Sequence, residues 1–585
     1  MNIELGELIM ILSVINKIKD IKAQESLIIM LLMLILTDIS IIFNIPGFRE
    51  ILPIVYFTII PGLLLTILFN MNKLEFLKKF VLWIGLSLGI LIFSGMALNS
   101  LYPLLSQPLS LLPLIIALNI ITILLLFIAY TRNKTDFEIV RIFNFELDKQ
   151  NKLISPMIFS IIFPFLAFFG TFLMNNYGNN SILLLMLLLI PAYFVVLICL
   201  NNKTSRHTYP FAIWMVSLTF FLMHGLTSNY LIGRDIHTEF FSFQFTLVNL
   251  HWDPYIFQNN VNGCLTVTIL PTIYSVLTSI QGLYIFKIVF GFIGSIIPLI
   301  IYLISKNFLK NKYALLATLL LIFQMNFIEL LGIVRQEFAF LFFFLAVFIL
   351  FDKEIGKNTK KFMFGFFMIL VVLAHYTTAF FGLVMTVPVL LIPFLRALFI
   401  EKKIKLINFD VLAILGVLSF LWYSIVAKSQ MNSAIGVVAK SGGSLTGVAV
   451  ESATRESTIL AIFGIGLKSA PQTISALVND AIFLTIGIGL IAVLIGYNHY
   501  KEKISLEFIV ASVVSTILLA LFVIVPNFSN DYGPSRLFAQ CLVFLAPFFV
   551  IGGIKIAKTI RMPKLDVFIL IVLLISLFTD RKSVV

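Results

Sequence analysis

The chain has 585 residues, of which 60% are hydrophobic and only 12% charged, with a mean hydropathy of +1.06. Soluble domains carry about 25% charged residues, so this composition excludes a water-facing globular surface. The net charge of +13 comes in short basic clusters between apolar runs, which excludes a nucleic-acid-binding stripe and matches what membrane orientation requires.

Crossing a bilayer takes roughly 20 apolar residues. By that measure the sequence predicts spans at 26–44, 51–69, 78–98, 109–131, 154–174, 181–200 and 209–227. A second series is predicted at 283–305, 313–330, 337–351, 362–377, 378–396, 409–427, 479–497, 506–525, 537–553 and 564–579. The expectation is an all-α polytopic bundle of about 17 spans. Lys17, Lys19 and Lys22 precede the first run, which leads directly into others and reads as a first span rather than a cleaved signal. With the N-terminus cytoplasmic, the inner segments hold 30 of the 41 Lys and Arg residues, as the positive-inside rule demands. The stretch 265–281 is apolar, yet a crossing there would invert every later loop; it is expected to be a helix against the outer face, partly re-entrant. Cys199, Cys264 and Cys541 show neither disulfide nor zinc spacing.

Two parts follow: a six-span module over 1–208 and a domain over 209–585, whose outer loops 228–282 and 428–478 are long. The second loop is rich in Gly, Ser, Ala and Val, and reads as a mobile lid. It holds Lys440 and Arg455 but no His, and these two would matter only if the chain were a polymerase or ligase.

The chemistry concentrates after the seventh span, in SNYLIGRDIHTEFF. Asp235, His237 and Glu239 alternate, so an extended backbone aims all three one way, whereas a helix puts Asp235 and Glu239 on one face. Such carboxylates take a proton from a hydroxyl or hold a divalent ion such as Mg or Mn. Arg234, His251 and Asp253 are expected to support this loop. In GIVRQE, Arg335 and Glu337 open a long apolar run. An Arg in hydrocarbon costs roughly 2.5–3.5 kcal/mol on insertion scales, so it is expected to face a cavity with a partner. Lys287, His375, Tyr376 and Arg536 complete an outer set of basic and polar groups suited to a phosphate-bearing ligand.

The order of these features resembles the GT-C superfamily of integral-membrane glycosyltransferases: a span, a long outer loop opening on an acidic motif, a surface helix, LYIFKIVFGF, then RQE. The superfamily includes protein O-mannosyltransferases, aminoarabinose transferases and oligosaccharyltransferases. The resemblance covers 209–400 well and 401–585 in layout, and looks closest to archaeal proteins of that kind. It implies Asp235 as catalytic carboxylate, His237 or Glu239 as its assistant or a metal ligand, Glu337 as a second acidic residue and Lys287 as the basic residue of the following span. The motif here is DxHxE where the family often has DE or DxD, so a metal is not a required expectation. Implied partners are a polyprenyl-phosphate sugar donor, the bilayer, and an acceptor glycan, lipid or protein, with transfer on the outer face of the cell membrane. The rival readings are a flippase of lipid-linked saccharides and an O-antigen-type polymerase or ligase. The first requires polar groups at mid-membrane; the second requires an Arg- and His-bearing late loop.

Overall fold

The structure, a computed structural model, describes residues 22–134, 137, 153–200, 203–256, 259–400, 408–432, 435–436, 460, 462–525 and 532–579. Apart from an isolated bridge between Leu153 and Thr204, no β structure occurs among the described residues. In chain order the helices are α1 Ala23–Ile42, α2 Phe48–Leu68, α3 Phe76–Asn99, α4 Leu111–Arg132, α5 Ser155–Tyr177, α6 Ser181–Leu200 and α7 Thr208–Leu226. Then come α8 Ile236–Asn249, α9 Ile269–Thr278, α10 Gly282–Lys306, the pair α11 Asn311–Ile322 and α12 Met325–Gly332, α13 Val334–Phe351, α14 Lys357–Ala374 and α15 Tyr376–Phe399. The last are α16 Phe409–Val426, α17 Ala470–Ile495, α18 Leu506–Ile524, α19 Pro534–Thr559 and α20 Asp566–Thr579.

Fourteen of these helices are long and apolar enough to cross a membrane. The protein is therefore a polytopic helical bundle, and the differences from the 17 expected spans have physical causes. The run at 313–330 is broken into α11 and α12, bent by 66°; counted as one span, the pair brings the total to 15. Helix α14 opens with Lys357, Lys360 and Lys361, too many charges for a span by composition. Helix α20 has 14 residues, short of the roughly 20 that hydrocarbon requires.

The stretch after Cys264 does not lie on a surface. Helix α9 is buried among α2, α3 and α4, and Tyr274 shares a 2.7 Å hydrogen bond with Thr58 of α2. At ten residues it cannot span, and its apolar residues are there to fill the bundle. Arg49 fixes its end through the Val276 and Leu277 carbonyls. Helices α2 and α3 thus pack directly into the later part of the chain. A buried Lys78–Asp352 ion pair at 2.7 Å and a Lys306–Glu75 pair at 2.8 Å add to that joint.

Helices α10, α13 and α19 are the most enclosed, while α16 lies almost wholly on the periphery. Without a hydrophobic drive between helices in lipid, close packing of small residues takes over. In α17 and α19 it does so back to back: a Cβ on Gly489 would sit 2.0 Å from the Phe548 carbonyl oxygen, and one on Gly552 would sit 1.8 Å from that of Thr485. The obstacles are backbone, so neither can step aside. Gly489→Ala and Gly552→Ala are each expected to destabilise the protein by about 1–3 kcal/mol through overpacking, read as a lowered unfolding temperature of the detergent-purified chain. An unchanged midpoint in both would contradict this packing.

Candidate functional site

The loop after α7 is set by a contact between two glycines. Gly233 has φ of +148°, a conformation that L side chains rarely adopt, and a Cβ there would lie 2.5 Å from the Gly332 Cα. The backbone of GRD therefore abuts the end of α12, just ahead of α13. From there the chain enters α8 as a helix, so Asp235 and Glu239 share a face and His237 is turned out to an exposed position. The helical alternative is the one realised.

Both carboxylates meet Arg335. Its Nη2 donates to Asp235 Oδ2 at 2.8 Å and its Nη1 to Glu239 Oε1 at 3.1 Å. Glu239 Oε2 accepts the Val334 amide at 2.8 Å. Glu239 is thus fully buried and caps the N-terminus of α13, where unpaired amides and the helix dipole favour negative charge. Burial raises its carboxyl to about 7, with Arg335 working in the opposite direction. Asp235 occupies the N-cap of α8 without capping it. An Asp there would ordinarily contribute about 1 kcal/mol by accepting one of the helix's first amides; here the carboxylate serves Arg335 instead.

Arg536, in the first turn of α19, brings Nη1 to 4.0 Å from the same Asp235 oxygen. Its guanidinium makes no hydrogen bond among the described residues, and Asp235, with its side chain 31% exposed, keeps Oδ1 unengaged there. The site is therefore a half-open carboxylate flanked by two guanidinium groups, one buried and committed, the other with donors to spare.

Behind it runs a buried polar network. His375 caps α15, its Nδ1 2.8 Å from Thr378 Oγ1. The Tyr532 hydroxyl donates to Gln540 Oε1 at 2.9 Å and accepts from Gln336 Nε2 at 3.2 Å, and it lies 3.4 Å from Thr378 Oγ1. Gln540 Nε2 donates to the Thr378 carbonyl. The network ties α13, α15 and α19 together beside the arginines; His375 is within electrostatic reach of both, and Tyr376 of Arg335.

Other expected site residues are placed differently. Glu337, two residues beyond Arg335, points toward α10, where a Cβ on Gly294 would fall 2.0 Å from Oε1. Lys287 lies in a π-helical turn at 285–289 and donates to the Ser228 carbonyl. It bonds neither carboxylate nor arginine, and so anchors the loop between α7 and α8. His251 stacks on Tyr102 at 3.8 Å, and Asp253 accepts the Tyr255 amide at 2.8 Å; both brace the loop away from Arg335. Arg234 is exposed. Lys440 and Arg455 lie outside the described residues. Tyr532, Gln336, Gln540 and the Gly233–Gly332 contact are not among the sequence-predicted site residues. Tyr532, four residues before Arg536 in NDYGPSR, was the one with a visible signal.

Among the described residues no group of three or more His, Cys, Asp and Glu side chains is placed to hold a metal ion. A divalent cation does not fit between Asp235 and Glu239, because the Arg335 guanidinium fills that position.

These features define a multi-pass helical membrane protein with a charged site at one end of its most enclosed helices. Residues 360–570 match a family described as "Predicted membrane protein (DUF2206)". The match takes in His375, Tyr532 and Arg536 and leaves out Asp235, Glu239 and Arg335. No curated protein and no solved structure matches the chain.

Glu239 makes the site pH-sensitive. Its folded-state value lies above the ordinary carboxylate value, so the native state holds a proton that the unfolded chain releases. Its contribution to stability is full below about pH 4 and is lost as pH rises toward about 7. Unfolding midpoints of the purified protein should therefore fall between pH 5 and 7, and Glu239→Gln should flatten that part of the profile. An unaltered slope would remove Glu239 as its source.

Proposed function

We propose that the chain is a glycosyltransferase that takes a sugar from a polyprenyl-phosphate donor at the outer face of the membrane. The observation that carries this reading is the convergence of Asp235, Arg335 and Arg536, 301 positions apart from first to last, on one half-open carboxylate. Anchoring residues have no reason to converge. A phosphate donor beside Arg536 meets a planar guanidinium with free donors, the group best matched to phosphate oxygens.

In the proposed reaction an acceptor hydroxyl attacks the anomeric carbon as the bond from that carbon to the phosphate oxygen breaks. The electron pair leaves with the lipid phosphate, where the charge that develops is stabilised by Arg536 with Arg335 behind it. The hydroxyl proton passes to Asp235 Oδ1, the oxygen without a partner among the described residues. A single displacement inverts the anomeric centre. Glu239 is a positioning residue in this scheme, since both its oxygens are occupied. His375 and Tyr532 likewise act through the network that holds the start of α19. The lipid tail of the donor accounts for a site at a bundle end, and the basic-residue distribution supports an outward orientation.

The test is transfer from lipid-linked sugars in membranes containing the protein. Asp235→Asn should lower turnover by about 10²–10⁴-fold, the range for loss of a general base, with donor affinity retained. Arg536→Ala should chiefly weaken donor use and Arg536→Lys should restore part of it. Undiminished transfer by Asp235→Asn would end the proposal.

A further inference from the structure

At the other end of α13, sixteen residues and about 24 Å from Arg335, lies a cavity of about 430 Å³ that the proposed transfer does not use. Its polar wall brings together lysines from three separate segments: Lys353 after α13, Lys360 in the first turn of α14, and Lys501 and Lys503 in the turn before α18. Glu502 and Glu507 also line it, so the lining carries a net charge of +2 (four lysines against two glutamates). Lys353, Lys501 and Lys503 form no ion pair or hydrogen bond through their ammonium groups among the described residues. Lys360 reaches the Leu350 carbonyl at 3.5 Å, at the last turn of α13. The first turn of α18 also borders the cavity, behind its cap Ser505, and already carries its own acid there, Glu507. Apolar side chains complete the lining, among them Phe351 of α13 and Val389, Leu390 and Pro393 of α15.

Lys353, Lys501 and Lys503 are exposed, yet loop lysines placed only to set orientation would have no reason to gather from separate segments around one cavity between helices. We infer that this cavity binds a phosphate-bearing anion, with the lysines on the phosphate and the apolar side chains beside the rest of the molecule. Basic clefts between membrane helices recognise phospholipid headgroups by this chemistry. A lipid headgroup and a soluble phosphate share it, and the test separates them.

The full chain in neutral detergent is titrated with dioctanoyl phosphatidic acid, with inorganic phosphate and with zwitterionic dioctanoyl phosphatidylcholine, and its unfolding temperature is followed. Phosphatidic acid should stabilise the wild type, and Lys353→Ala/Lys501→Ala/Lys503→Ala should require roughly tenfold or more of it for the same shift. Lys555→Ala/Lys558→Ala, two exposed lysines at the end of α19, should respond as wild type does. Matching stabilisation by inorganic phosphate identifies a soluble ligand; stabilisation by phosphatidic acid alone identifies a headgroup. Either supports the site. An equal response of the triple variant, an equal loss in the Lys555/Lys558 control, or no effect of either anion on the wild type overturns it. If the triple variant does not fold, Lys501→Ala and Lys503→Ala singly, at exposed turn positions, carry the comparison. None of these outcomes depends on Asp235.

Discussion

A guanidinium buried near the bundle core is costly unless its charge is met at close range. Arg335, at the start of the enclosed helix α13, is met twice, by Asp235 at 2.8 Å and Glu239 at 3.1 Å. Removing one partner from such an arrangement costs about 3–5 kcal/mol, because the remaining charge stays buried. The loop after α7 is bound to α13 through this requirement. The paired glycines Gly233 and Gly332 permit the approach, and the Val334 amide gives Glu239 a second reason to stay. The geometry of Asp235 follows from the accommodation of Arg335.

The two carboxylates have diverged in role although they lie one helical turn apart. Glu239 is sealed in, with both oxygens taken, and orients Arg335. Asp235 keeps Oδ1 free among the described residues, while Arg536 approaches the Oδ2 that Arg335 already holds. Polar cross-bracing through Tyr532, Gln336, Gln540 and Thr378 holds α13, α15 and α19 at the separation that makes this possible. A buried network of this kind rigidifies its surroundings, since each member left alone would carry a desolvation penalty. In the proposed chemistry such rigidity lets the guanidinium groups stabilise a departing phosphate without rearrangement.

Charge is distributed at both ends of the same helices. One end carries a carboxylate between arginines; the other carries unpaired lysines around a cavity. Between them the enclosed helices are filled by large apolar side chains, as α13 shows with Phe338, Phe340, Phe342, Phe343 and Phe344 all buried. The polar groups stand toward the ends of α13, and the length between them is filled by packing.

The apolar runs alone determined that this is a many-helix membrane protein, and placed most spans within a few residues, because crossing lipid imposes a length and a composition that any sequence must display. They also marked the charges at 234–239, 335 and 536 as anomalous, since charge beside lipid is costly wherever it occurs. Partnership was not legible. Arg335 and Glu337 stand two residues apart, yet helical geometry sends one to Asp235 and the other to Gly294. Lys287 has the sequence setting of a phosphate ligand and bonds a loop carbonyl. The segment at 265–281 is apolar and was expected against the outer face because a crossing would invert the later loops; its helix is buried in the bundle. Tertiary structure decided these matters, because which face of a helix meets which neighbour depends on the packing of every other helix around it.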